Sequence, residues 1–234
     1  MYRFLLTLLI LMISGCTTSS DDKDSLQFSY TFSDGTEQWT GGFADYPVGE
    51  EDFFNLEFKR SPLPDPLDPN QHALQISGDN RSDDLFMFIK RKIDGLTPSA
   101  SYILKLDIEL ASDSPEDAAG IGGGPGTSVF LKAGAVAKEP APVVTEQAGF
   151  EDGYYRMNID RGNQSQGGGD MPVIGNVAHN NDDFEYTLIN RSLNNFTVQS
   201  GDEGEIWLII GTDSGFEGTT TLYYSTIEAE LTPL

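Results

Sequence analysis

From Leu26 onward the chain is built of short runs in which apolar and polar residues alternate. Clusters of Gly, Pro, Asn and Asp separate them, and no stretch shows the period of an amphipathic helix. The cleanest run is Tyr102–Leu110, where Tyr102, Leu104, Leu106, Ile108 and Leu110 share one face and Lys105, Asp107 and Glu109 the other. Further strands are expected at Leu26–Phe32, Phe53–Phe58, Ala73–Ser77, Leu85–Ile93, Val129–Ala137, Tyr154–Asp160, Val173–Ala178, Glu185–Arg191 and Phe196–Gln199. Four prolines make Ser61–Asn70 a surface loop. Ser112–Gly126, Pro140–Gly149 and Arg161–Pro172 also read as loops.

The last two strands are the strongest. Ile206–Ile210 is apolar on both faces, the mark of a strand in the middle of a sheet. The strand that follows alternates, with Tyr223, Ile227, Ala229 and Leu231 on one side and Thr226, Glu228 and Glu230 on the other. About ten to twelve strands with frequent turn signals predict an all-β, two-sheet, jelly-roll-like sandwich. It would form one domain over residues 26–234, long enough to bury a core without disulfides.

The first 25 residues follow a different logic. Met1-Tyr2-Arg3, an apolar run from Phe4 to Ile13 and Ser14-Gly15-Cys16 make a secretory signal over residues 1–15, too short to span a bilayer as a helix. Ile-Ser-Gly-Cys resembles the bacterial lipobox, which implies that Cys16, the single cysteine, is acylated and holds the domain at a membrane. Residues 16–25, small and polar after the cysteine, read as a flexible tether. Thr17 after the cysteine resembles outer-membrane sorting, on the periplasmic or the surface face.

Charge narrows the partners. The chain carries a formal net charge of −23, and losing residues 1–15 with Arg3 would leave −24. Such acidity argues against nucleic acid and against anionic lipid as a docking surface. It suits solubility in salty surroundings, a divalent cation or a neutral ligand such as a glycan; the alternative partner is another envelope protein.

Three stretches carry a resemblance to galactose-binding-like jelly-roll carbohydrate-binding modules. They are Phe32-Ser33-Asp34-Gly35 with Gln38-Trp39-Thr40, then Asp94-Gly95-Leu96-Thr97-Pro98 ahead of Tyr102–Leu110, and the closing strand Leu222–Leu231. Ser225 and Thr226 stand where that closing strand carries an acidic or amide residue. The chain also resembles a group of bacterial secreted proteins and lipoproteins, through Gly78–Phe88, Asn163–Gly168, Ile174–Val177 and Gly211–Gly218. That second resemblance implies secretion and no particular activity.

The candidate chemistry lies in polar loops. Asp83, Asp84, Asp160, Asp213 and Glu217 could supply oxygens to Ca²⁺ if folding gathers their loops, because a hard cation takes six to eight oxygen ligands. The same residues are also ordinary turn formers. For a glycan, Trp39, Tyr46, Phe216 and Tyr224 offer flat apolar faces, with Asp45, Asn80, Arg81 and Lys132 as polar partners. Trp39 suits the core better than a binding surface. His72 and His179 have no second histidine or cysteine at ligand spacing, so neither a zinc site nor a catalytic triad is indicated. The expectation is a non-catalytic, membrane-anchored binding domain. The alternatives are an assembly lipoprotein and a polysaccharide-acting enzyme.

Overall fold

The computed structural model describes residues 25–81 and 84–234. The expected signal peptide, the candidate lipidation site Cys16, the rest of the expected tether but Ser25, and the candidate ligand Asp83 lie outside the described residues.

Fifteen strands account for the regular structure of the described residues. In chain order they are β1 (Leu26–Tyr30), β2 (Thr40–Ala44), β3 (Glu57–Pro62), β4 (His72–Asp79), β5 (Leu85–Ile93), β6 (Ser101–Ser112) and β7 (Val129–Val136). A hairpin β8 (Pro142–Gln147) and β9 (Phe150–Met157) and the short pair β10 (Gly162–Asn163) and β11 (Gln166–Gly167) follow. The chain closes with β12 (Val173–Asn176), β13 (Thr187–Gln199), β14 (Ile206–Ser214) and β15 (Thr219–Pro233).

One sheet runs β13-β6-β15-β4-β3, with β1 also paired to β15; the other runs β12-β7-β14-β5-β2. Eight strands, β4 to β7 and β12 to β15, step between the two sheets in the order of a jelly roll. All their pairings are antiparallel. The facing sides enclose one core that includes Leu74, Ile76, Leu104, Leu106, Ile108, Leu131, Leu208, Ile210 and Leu231. Each such side chain contributes about 1.5–3 kcal/mol on burial.

Ile206–Ile210 is central, between β5 and β7, as its apolar faces require. Its outer face is covered by the segment between β7 and β12, where Ile159 and Met171 pack with Ile209, Phe86, Phe88 and Val136 in a second small core. That segment lies directly on β7: a Cβ on Gly134 would run into the Asp170 carbonyl oxygen.

Three local expectations are corrected, and β2 is a strand that no sequence pattern announced. Phe53–Phe58 is turn as far as Asn55, whose φ is 48°, and the strand begins at Glu57. β2 carries Gly41 and Gly42 because Phe58 and Phe88 fill the space that a Cβ there would need. β8 crosses the expected loop Pro140–Gly149; it has no buried face, so no period of two marks it. In β15 a bulge between Tyr224 and Thr226 shifts the register. Leu222 and Tyr224 therefore join Ile227, Ala229 and Leu231 in the core, while Tyr223 turns out against Tyr186.

The two ends of the sandwich differ. Leu26 pairs with Leu231, and the Leu234 amide donates to the Ser101 carbonyl, so the first and last described strands meet at one end. Asp79, Leu85, Ser112, Ser214 and Thr219 lie at the other.

Candidate functional site

The expected glycan platform does not exist as a surface. Trp39 is buried with its ring edge-on to Tyr30, 5.5 Å between centroids. Tyr46 is buried between Phe54 and Tyr155, at 5.6 and 5.0 Å. Tyr224 is wholly buried, and burial pushes its hydroxyl well above the usual tyrosine range. A ring without a free face cannot stack on a sugar, so Trp39, Tyr46 and Tyr224 belong to the core. Phe216 is half-buried, its ring packed against Gly120 and Gly218.

Asn80 and Arg81 serve the loops. The Asn80 side-chain amide donates to the carbonyls of Ser214 (2.8 Å) and Phe216 (2.9 Å), and its backbone amide donates to Gly218. Arg81, exposed, pairs with Asp79 at 2.6 Å and lies over the Phe53 ring. Thr219 and Asn55 also donate to Asp79, which holds its carboxyl below the usual range although partial burial opposes this.

The acidic loops do converge. Ala44 at the end of β2 lies opposite Phe86, and Leu85 opposite Ser214, while Lys132 of β7 faces Gly211. This register brings Asp45, Asp84, Asp213 and Lys132 to the outer face of one sheet, at the end remote from Leu26. Lys132 and Asp213 are fully buried and joined at 2.7 Å; Lys132 Nζ also donates to the carbonyls of Arg161 (2.8 Å) and Gln166 (3.0 Å). Arg161 lies over the Phe86 ring and forks between the carboxylates of Asp213 and Asp45. The Gln164 amide donates to Asp213 Oδ2 at 2.7 Å. Arg156 donates to Asp45 (2.5 Å), to Asp84 (3.3 Å) and to Gln147 (2.9 Å). Asp45 takes a left-handed backbone, φ 66°, fixed by its amide on the Tyr155 carbonyl and by the Tyr154 hydroxyl on its own carbonyl.

Burial dominates the electrostatics. It raises the Asp45 carboxyl despite the opposing pull of Arg161 and Arg156, and it lowers Lys132 despite Asp213. Asp84 is pushed up to about 7, first by burial and then by the neighbouring charges of Asp45 and Asp213, with Arg161 opposing. The Oδ1 atoms of Asp84 and Asp213 are both buried and accept no hydrogen bond among the described residues, although Arg161 lies 3.6 Å from the first. A hydrogen bond between the two acids would require a proton, so the nearness of Asp213 also favours the neutral form of Asp84.

Above this network opens a cleft of about 370 Å³, lined by Asp45, Asp84, Arg156, Asp160, Arg161 and Asn163. The Arg156 side chain is 37% exposed. Asp160, open to solvent, accepts from the amides of Gly162 (3.2 Å) and Gly169 (2.8 Å), which lower its pKa. The cleft therefore offers a guanidinium and a carboxyl that changes charge near neutrality, both held by ion pairs, and a carboxylate held by two backbone amides.

Of the expected metal ligands, Asp84 and Asp160 share this cleft and Asp213 lies beneath it. Glu217 stands apart, exposed, its amide on the Ile121 carbonyl. Lys132 and Arg161 are the cations that Asp213 already holds. Among the described residues no three His, Cys, Asp or Glu side chains are grouped to hold a metal ion. Arg156 and Arg161 were not singled out in the sequence. The available signal was Lys132, a lone lysine inside the small apolar run of β7, which requires a buried counter-ion.

No protein-family model matches the chain, and no curated protein matches it. Among solved structures it is similar to the carbohydrate-binding module TmCBM27, described by its mannan recognition, at 11% identity and TM-score 0.37, covering 88% of this chain and 98% of that one. It is similar to the K1 cleaved adhesin domain of Lys-gingipain from Porphyromonas gingivalis at 10% identity and TM-score 0.39, covering 87% and 97%. A third similarity is to the enzymatically active domain of bacteriophage CBA120 tailspike protein 4, at 9% identity and TM-score 0.37; it covers 84% of this chain but only 19% of that one. Overlap of this order transfers no residue role.

Proposed function

We propose that this chain is a non-catalytic glycan-binding domain, tethered to the outer membrane by lipid on Cys16, which takes its ligand in the Arg156 cleft. The observation that carries this reading is the cleft itself. Arg156, Asp84 and Asp160 present donors and acceptors in fixed positions, and a hydroxyl-rich ligand needs both kinds of group already ordered. The protein's strong acidity disfavours an anionic ligand. Because the cleft lies at the end remote from Leu26, a lipid anchor at residue 16 would hold it away from the bilayer.

A glycan array probed with the intact protein, and with Arg156→Ala, tests the reading. Specific retention that Arg156→Ala abolishes supports it; retention of nothing by the intact protein sinks it. A protein partner is the second reading, favoured by Val143, Val144 and Phe150, which stand exposed on the β8–β9 hairpin. Cross-linking from that hairpin in intact cells distinguishes the two.

A further inference from the structure

A second cavity, of about 220 Å³, lies at the same end of the sandwich as the Arg156 cleft, between the loop after β6 and the loop before β13. Pro115 and His179 are its buried members, and Glu116, Asp117, Asn180, Asn181, Asp182 and Phe184 form its exposed rim. The two loops are clamped through the backbone. The His179 amide donates to the Ser114 carbonyl at 3.0 Å, and the Glu116 amide donates to the His179 carbonyl at 3.0 Å.

Two side chains at this cavity keep a group that the fold does not engage. His179 is 3% exposed, and its Nδ1 accepts from the Asn181 amide at 3.2 Å. A neutral ring with an occupied Nδ1 lone pair carries its proton on Nε2. That buried Nε2–H has no hydrogen-bond partner among the described residues. A buried donor left without an acceptor is destabilising, so the position calls for an acceptor from outside the chain. Phe184 is 67% exposed, a whole ring offered at the cavity rim. Around them stand three carboxylates and two side-chain amides, one of which, on Asn181, is engaged with Thr187 at 2.8 Å.

We infer that this cavity is a second saccharide subsite, sized for a single sugar ring. The ring stacks on Phe184, one of its oxygens accepts from His179 Nε2–H, and neighbouring hydroxyls donate to the carboxylates of the rim. The chemistry discriminates among ligands. A metal ion would meet a protonated nitrogen at His179 and an anion would meet Glu116, Asp117 and Asp182, whereas a sugar ring uses the flat face, the donor and the acceptors together. The cavity is too small for a chain segment, so it would grip one residue or a chain end. It extends the glycan-binding reading to a site that shares no residue with the Arg156 cleft.

The test is a titration of the full chain in detergent micelles with the methyl glycosides of glucose, mannose and galactose. The His179 ring N–H, the Phe184 ring protons and the Arg156 side-chain N–H are followed by NMR. The expected result is a saturable shift at His179 and Phe184 with at least one glycoside. Phe184→Ala should weaken it roughly tenfold, and Phe53→Ala, an exposed ring elsewhere, should leave it unchanged. Because Phe184 is so exposed, its replacement does not threaten folding; His179→Gln, which keeps an N–H donor, should retain more binding than His179→Leu. Shifts confined to Arg156 would overturn this inference while leaving the first cleft standing. Shifts at His179 and Phe184 alone would establish this subsite and remove the first. A His179 signal that no glycoside moves would mean that water alone satisfies Nε2, and the proposal falls.

Discussion

Lys132 and Asp213 face each other across neighbouring strands at 2.7 Å, and neither side chain reaches solvent. Two charges removed from water are tolerated only when each is compensated, and here Arg161 and the Gln164 amide complete the arrangement. The ion pair is the foundation of the cleft above it, because the same Arg161 that binds Asp213 also positions Asp45, which in turn holds Arg156.

Asp213→Ala should therefore cost about 3–5 kcal/mol in denaturant unfolding, since it strands the buried Lys132 and removes one of the two carboxylates that Arg161 forks between. The double variant Lys132→Met with Asp213→Leu should recover much of that loss. A double variant no more stable than Asp213→Ala would show that the charges are not coupled.

Stability should fall as pH rises from about 4 to about 7. The folded carboxyl of Asp84 titrates near 7 and an unfolded aspartate near 3.9, so across this window the folded state binds the extra proton. The contribution is fully present below the unfolded value and is lost as pH passes the folded one, at up to about 1.4 kcal/mol per pH unit. Asp45, also raised, adds in the same direction, whereas Asp79 and Asp160, both lowered, lose their contribution only in stronger acid. Thermal melts of Asp84→Asn between about pH 4 and about pH 8 should show a flatter profile and a higher midpoint at the alkaline end. An unchanged slope would remove Asp84 as its source.

Gly134→Ala should lift the segment between β7 and β12 from the sheet, because the new methyl meets the Asp170 carbonyl oxygen. Overpacking of this kind costs about 1–3 kcal/mol. Hydrogen exchange should accelerate at the Gly168 and Asp170 amides before the core strands respond, and glycan retention by the cleft should drop. Uniform exchange across both sheets would contradict the idea that this segment is a separable cover.

Added Ca²⁺ should leave the thermal midpoint unchanged, and so should EDTA. Asp213 already holds Lys132 and Arg161, and Glu217 lies away from it. An ion bound only by the folded state would raise the midpoint by mass action, so a rise that follows Ca²⁺ concentration would reinstate a metal site.

Much of the fold was legible because its signal is repeated. Tyr102–Leu110 and Leu85–Ile93 alternate, or run apolar, along most of their length, and both form strands there. Strands whose reason lies in a partner were hidden. Gly41 and Gly42 make β2 weak on its own terms and necessary only beside Phe58 and Phe88. Tyr224 is core because one added residue, Ser225, shifts the phase of β15, which no period of two can anticipate. At the site, acidic loops were readable as a class, and their gathering at one end follows from strand register. Their counter-ions were not readable: Arg161 lies 52 residues from Asp213 in the chain, and spacing says nothing about pairing at that range.

The pairing of Leu26 with Leu231 has a mechanical consequence. If the chain is anchored through residue 16 while both clefts grip a fixed polymer at the other end, tension runs along the strand axes. β1 is then loaded in shear, its five register pairs with β15 resisting together rather than opening one by one. A shaking cell would pull on this domain in the direction in which its first strand is hardest to remove.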